Sequence, residues 1–291
     1  MAEKIYTSQF ARLLPNIFEQ KQYFVNAFGG SLQVVDGITN SDTFLKLKVS
    51  DTDVVLQEYN TGENVAFGSG TESTNRFGPR KEVKSVDTDV SYDLPLAIHE
   101  GVDNFTVNDN ADQVVEERAQ LHAEAWDNRL ATDLGKTLST NASELLTETE
   151  VAKAFAAARS KLVDAKINKN IVWRAYVTPE VYNLIVDHKL TTSAKRSSAN
   201  IDEQEVFKFK GFVVEEVPSE YFQEGENVIF AVDNVGVVGM GIEIYRIFDA
   251  HDFYGVTIQG AAKSGKYIPD KNKVAIMKAN VTVEDEAVEG A

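Results

Sequence analysis

The chain has 291 residues, of which 43% are hydrophobic, so it can bury a substantial core in one large domain or two. It contains no cysteine, which excludes disulfides and thiolate metal sites, and no run of about 18 apolar residues, so we expect no membrane span. A formal net charge of −16 argues against binding nucleic acid by neutralising phosphates, which requires clustered lysine and arginine.

Residues 1–42 are predicted to form an N-terminal arm. Short apolar groups stand between polar residues, and glycines at Gly29, Gly30 and Gly37 interrupt any regular pattern. Charged residues also break the apolar runs near the start, so we expect no signal peptide. We expect such an arm to bury little of its own surface.

Residues 43–97 are predicted to contain a long two-stranded hairpin. Apolar and polar residues alternate in 43–58 and again in 81–94, as in half-buried β-strands. Between them lies a glycine-rich loop, 59–84, whose apolar residues follow neither helical nor strand spacing. A two-stranded ribbon is marginally stable alone in water, and its edges pair readily with other chains. We therefore expect another copy of the protein to supply the missing partner.

The rest of the chain is predicted to be of the α+β class. A helix is expected at 109–140, where apolar residues recur every three or four positions and acidic residues occupy the other faces. Further helices are expected at 149–166 and directly after Thr178 and Pro179. Strands are expected at 171–177, 209–217, 227–233, 237–248, 253–260 and 272–283, and a polar surface loop at 189–206. Helices and strands do not alternate regularly, which argues against a doubly wound sheet.

Two glycine-rich stretches resemble nucleotide-binding loops but lack the required context. Gly260–Lys266 reads GAAKSGK, yet Tyr267 stands where the magnesium-ligating serine or threonine belongs, and Pro269 disfavours a following helix. We expect a β-turn between two strands there. Gly236, Gly239 and Gly241 have the reverse order of a dinucleotide loop and precede a strand-like run. No cofactor-binding residue is predicted.

The four histidines give no strong catalytic or metal-binding signal. No pair has the spacing of two zinc ligands on one helix. His251 and Asp252 could form an acid–base couple or half a metal site, but a surface turn is the favoured interpretation. His122 lies on the apolar stripe of the long helix and is expected to be a hydrogen-bonded core residue. Trp126 and Trp173 are expected to pack in the core.

The order of the parts resembles the major capsid protein of tailed bacteriophages, which has the Hong Kong 97-like fold. The stretches YDLPLAIHEGVDNFTVND (92–109) and YVTPEVYNLI (176–185) are also similar to this family. The resemblance implies an N-terminal arm at 1–42, an extended E-loop at 43–97 and a peripheral domain with a spine helix at 98–149. It further implies an axial domain at 150–250, and closing strands of the peripheral domain with an acidic tail at 251–291.

The resemblance implies a structural protein without catalysis that assembles into an icosahedral shell of hexamers and pentamers around double-stranded DNA. The E-loop tip would contact the neighbouring subunit through two aromatic and three basic residues, namely Phe67, Arg76, Phe77, Arg80 and Lys81. A separate scaffolding protein and a portal protein are the implied partners, and DNA would be enclosed without specific binding. The implied location is the virion, after assembly in the host cytoplasm.

Two alternatives remain open at this point. Encapsulins, which form cellular compartments, have the same fold, and the sequence does not separate them from phage capsids. The second alternative is an enzyme that uses His251 and Asp252.

Overall fold

The computed structural model describes residues 4–5, 23–36, 43–49, 54–63, 65–66, 75–80, 82–83, 86–104, 111–188, 199–200, 205–206 and 208–283. The strands in the first part of the chain are β1 (Lys4–Ile5), β2 (Gln33–Asp36), β3 (Thr43–Val49), β4 (Val86–Ser91) and β5 (Leu96–Asp103). Then follow α1 (Ala111–Thr140), β6 (Glu144–Leu146), α2 (Val151–Asp164), β7 (Trp173–Val177) and α3 (Pro179–Asp187). The last part holds β8 (Ala199–Asn200), β9 (Glu205–Val206), β10 (Lys208–Phe209), β11 (Phe212–Glu216), β12 (Val228–Val232), β13 (Val237–Asp249), β14 (Gly255–Tyr267) and β15 (Met277–Ala279).

The chain divides into two compact units. The small unit is Asp42–Ser91, which contains β3 and β4, and the large unit comprises Met1–Ser41 and Tyr92–Ala291. In the small unit β3 and β4 pair antiparallel, from Thr43 opposite Ser91 to Val49 opposite Val86. The predicted strand pairing is therefore confirmed.

A six-stranded sheet in the large unit has the order β10-β11-β7-β12-β15-β6. Its strands β7 and β11 run parallel, whereas β12 runs antiparallel to both β7 and β15. Helix α2 covers this sheet through Phe155, whose ring contacts those of Phe209, Phe212 and Phe230 at centroid distances of 4.9–5.6 Å. Such edge-to-face contacts between buried rings stabilise a core beyond the area that they bury.

A five-stranded sheet holds the second part of the large unit. Strand β14 lies between β13 and β5, and β13 also pairs with the short strands β1 and β2. Helix α1 contacts β5 and β14, and its apolar stripe, which includes Trp126, Leu130, Leu134 and Leu138, is buried. The helix predicted at 109–140 is thus confirmed, as are the packing roles of Trp126 and Trp173.

The β-turn expected at Gly260–Lys266 is wrong, because this stretch lies inside the 13-residue strand β14. Gly260 pairs with Tyr245, and a Cβ at this position would come within 3.0 Å of the Tyr245 ring. The glycine therefore serves the close approach of a neighbouring ring and not a turn. Ser264 and Lys266 hold a carboxylate instead of a phosphate: their side chains contact Asp93 Oδ2 at 3.1 and 2.5 Å.

The expectation that residues 1–42 bury little of their surface is wrong for residues 24–28. Phe24 and Phe28 are fully buried, and the Phe24 ring lies 4.9 Å from that of Tyr176 in the six-stranded sheet. The backbone carbonyls of Asn26 and Ala27 accept hydrogen bonds from Asn234 and Gly236. This segment belongs to the core of the large unit because its aromatic side chains fill that core.

Two other expectations differ from the structure. The strand predicted at 272–283 is mostly wrong, since Asp270–Ala275 form a 3₁₀ helix after Pro269 and only Met277–Ala279 pair as a strand, β15. The loop predicted at 189–206 falls mainly outside the described residues, but within it β8 and β9 pair antiparallel. The acidic tail also lies outside the described residues.

The sheets do not follow the expected segment boundaries at 149 and 250. Strand β13, from the expected axial segment, pairs with β14 in the five-stranded sheet, whereas β6 and β15 belong to the six-stranded sheet. The assignment of the sheets to peripheral and axial domains stays a prediction. Among the described residues, none of the helices has a stretch long and apolar enough to span a membrane.

Candidate assembly surface on the hairpin

The loop between β3 and β4 is organised around one arginine. The guanidinium of Arg76 donates hydrogen bonds to the carbonyl oxygens of Val65, Asn60 and Gly62, at 3.1, 3.3 and 3.2 Å. The Asn60 amide in turn donates to the Arg76 carbonyl at 3.0 Å. Arg76 thus joins the described residues on the two sides of the loop, and these residues have a defined arrangement within the small unit.

The sharp bend at Gly78 is held by a second contact across the loop. Gly78 has a φ of 77°, a conformation that favours glycine. A Cβ there would also come within 2.3 Å of Gln57 Oε1, and the Gln57 amide donates to the Pro79 carbonyl at 3.0 Å. The positive φ is therefore what favours glycine at position 78, since the exposed Gln57 side chain could move away from a Cβ.

Apolar side chains on this ordered loop face solvent. Leu56 is 95% exposed and Phe77 is 75% exposed, while Val65 of the same loop is buried. The Phe77 ring makes an edge contact with Tyr59 at 5.1 Å. The exposed apolar residues of the loop, here called the loop apolar set, are Val54, Val55, Leu56, Tyr59, Phe77 and Val83. A cluster of this kind is typical of a surface that another chain covers.

The predicted contact residues of the loop have different environments. Phe77 and Arg80 are exposed, whereas Arg76 is half-buried and bonded within the loop. Phe67 and Lys81 lie outside the described residues. The role of these five residues as contacts between subunits stays a prediction.

Sequence reasoning missed most of the loop apolar set. The run Val54–Leu56 could have indicated a contact surface, because three consecutive apolar residues between charged segments are unusual for a solvent-exposed surface. It was assigned to the strand preceding the loop, although β3 ends at Val49. The hydrogen bonds of Arg76 within the loop could not be predicted, because every residue has a backbone carbonyl and the sequence does not show which of them accept.

A polar cluster joins α1 to the five-stranded sheet. His122 is 3% exposed; its Nε2 lies 2.7 Å from Glu100 Oε2, and its Nδ1 lies 2.9 Å from the Tyr245 hydroxyl. Arg118 Nε donates to the same Glu100 oxygen at 2.8 Å. The expected hydrogen-bonded core histidine is confirmed.

The environment of this cluster changes two pKa values. The hydrogen bond from Arg118, supported by His122, lowers the pKa of Glu100 although partial burial opposes the shift. Burial raises the pKa of Tyr245 to about 12. Both groups therefore keep a fixed protonation state near neutral pH, which suits a structural contact.

The second candidate site, His251 and Asp252, lies in the turn between β13 and β14. Both residues are exposed and line an open groove with His99, Phe248 and Gln259. The expected turn is confirmed. Within the described ranges there is no group of three or more histidine, aspartate or glutamate side chains that could hold a metal ion.

Comparison with known proteins identifies the fold through structure and not through sequence. No protein-family model and no curated protein sequence matches the chain. The mature capsid of bacteriophage PhiM1 matches with a TM-score of 0.63 at 12% identity, covering 90% of this chain and 87% of that one. The capsid of Ralstonia phage GP4 matches with a TM-score of 0.60 at 10% identity, covering 91% and 92%.

The chain has the Hong Kong 97-like capsid fold. The predicted α+β class and the predicted resemblance are both confirmed. A virus-like particle from Pyrococcus furiosus is also similar, with a TM-score of 0.50 at 14% identity, covering 94% of this chain and 99% of that one. The Hong Kong 97-like fold thus accounts for most of the chain.

Proposed function

We propose that this protein is a major capsid protein, a structural subunit that assembles with copies of itself into an icosahedral shell around double-stranded DNA. The observation that carries the proposal is the loop apolar set, which stays exposed on a loop that Arg76 holds in a defined shape. The phage capsids that share the fold support a structural and not an enzymatic role.

The hairpin loop supplies the contact between neighbouring subunits in this proposal. Full burial of a leucine or phenylalanine side chain contributes about 1.5–3 kcal/mol. Because the loop is already closed by its own hydrogen bonds, less conformational entropy is lost when it docks on a neighbour. Each contact is weak, and a closed shell gains stability by repeating it in hexamers and pentamers.

The charge of the chain suits a container for DNA. With a net charge of −16, the protein offers the packaged DNA little attraction, so DNA is enclosed without specific binding. The shell would be part of a virion assembled in the host cytoplasm, with a separate scaffolding protein and a portal protein as partners. These partners remain proposals that follow from the resemblance to tailed-phage capsids.

The encapsulin-like alternative is less favoured. The PhiM1 and GP4 structures, which match with TM-scores of 0.63 and 0.60, are phage capsids. The enzyme alternative has no specific observation in its favour, because His251 and Asp252 lie in an exposed turn.

Replacement of two loop residues tests this proposal. The double variant Leu56→Ser/Phe77→Ser removes two strongly exposed side chains of the loop apolar set and should abolish particles or reduce their yield about tenfold. Leu121→Ser, on the exposed face of α1, is the matched control and should assemble like the parent chain. Sedimentation velocity separates subunits from shells, and equal particle yields from both variants would refute the role of the loop.

A further inference from the structure

A cationic groove lies at the end of the six-stranded sheet where the parallel strands β7 and β11 begin. Its volume is about 160 Å³, and the charged side chains in its lining are Arg159, Lys169 and Lys208, all exposed. Among the described residues that line the groove, none is acidic. Its apolar wall includes Ile171 and Val172, which are two-fifths exposed. The groove therefore suits an acidic segment that also carries apolar atoms.

The opposite end of the same two strands is acidic. Glu180 lies in the first turn of α3, directly after β7, and Glu216 ends β11. Glu220 and Glu224 follow in the next segment, and all four glutamates are exposed. The sequence contains no lysine or arginine between Lys210 and Arg246. Residues 216–224, here called the acidic segment, therefore have no basic residue close in sequence that could neutralise them.

The two charged surfaces of one chain are kept apart by the sheet. Strands β7 and β11 are parallel and each has five residues, which separates their two ends by roughly 15 Å at about 3.3 Å per residue. That distance exceeds the screening length of roughly 8 Å at physiological salt. The groove and the acidic segment can therefore meet only between different chains.

We infer that the cationic groove binds the acidic segment of a second copy of this chain, head to tail around a capsomer ring. This inference rests on the proposed function. Two different patches at opposite ends of one domain generate a closed ring when the rotation between neighbours closes. Hexamers and pentamers are such rings. Exposed ion pairs are individually weak and are screened by salt, but every subunit of the ring contributes one such contact.

A charge-swap series tests the inference on the full chain. Lys169→Glu/Lys208→Glu reverses the groove, and Glu220→Lys/Glu224→Lys reverses the acidic segment; each double variant should raise the protein concentration needed for particle formation about tenfold. The quadruple variant restores opposite charges across the contact and should return this concentration to within about threefold of that of the parent chain. Lys271→Glu, exposed in the 3₁₀ helix Asp270–Ala275, is the control for a change in net charge and should have little effect.

Each outcome decides for or against the pairing. A raised concentration for particle formation in both double variants, with recovery in the quadruple variant, supports it. Normal assembly of either double variant, or failure of the quadruple variant to recover while its circular dichroism spectrum stays native, overturns it. Failure of the parent chain to form particles would instead refute the proposed function itself, so the two failures are distinguishable.

Discussion

Glu100 connects helix α1 to the five-stranded sheet through two side chains of the helix. It accepts hydrogen bonds from Arg118 and lies 2.7 Å from the His122 imidazole, which also contacts the Tyr245 hydroxyl. The apolar stripe of α1 predicted that His122 would be buried. Its partners could not be predicted, because they lie 22 and 123 residues away in sequence and meet only when the sheet forms.

Glu100→Gln should lower the free energy of unfolding of the unassembled chain by about 1–3 kcal/mol at pH 7, because Arg118 and the buried His122 lose their carboxylate. The folded-state pKa of Glu100 is lowered, so its stabilisation is present above the unfolded pKa of about 4.3 and is lost as pH falls through the folded pKa. The difference between parent and variant should therefore shrink in acid, as urea unfolding at pH 7 and pH 4 would measure. Glu117→Gln, exposed on helix α1, should change stability by less than about 0.5 kcal/mol. A difference that grows in acid would contradict this account.

The prediction of individual elements succeeded where hydrophobic periodicity was strong. It failed where a residue contacts a part of the chain that is distant in sequence. The alternation around the hairpin predicted the pairing of β3 with β4, and the apolar stripe at 109–140 predicted the helix observed at Ala111–Thr140. The small residues of Gly260–Lys266 indicated a turn. Position 260 favours glycine for another reason, because the Tyr245 ring lies close to where a Cβ would be. Phe24 and Phe28 looked like residues of an arm because their partners, including Tyr176, come from strands much later in the chain.

Arg76→Ala should open the loop in the unassembled chain, because three carbonyl oxygens lose their shared donor. Each lost hydrogen bond should lower the free energy needed to open the loop by about 1 kcal/mol. Cleavage of the loop by a protease should therefore become at least about tenfold faster. Limited proteolysis followed by mass spectrometry measures this rate at the loop. Arg80→Ala, an exposed neighbour, should leave the rate unchanged, and equal rates for parent and Arg76→Ala would show that Arg76 does not order the loop.

At the scale of the whole molecule, the order of the elements carried more information than any motif. Matches at 10–14% identity cover most of the chain, so the fold persists after nearly all side chains have changed. The division between the two sheets could not be predicted, because β13 and β15 each pair with strands that are distant in sequence. The candidate surface was predicted only in part: the hairpin and Phe77 were anticipated, whereas Val54, Leu56 and the internal bonds of Arg76 were not.

Electron microscopy of the purified full-length chain tests the central claim most directly. If the hairpin loop is built to be covered by a neighbouring subunit, the parent chain should form closed particles of uniform size at micromolar concentration. A chain that remains a single subunit in micrographs and in sedimentation, even at high concentration, would contradict the assignment as a shell protein.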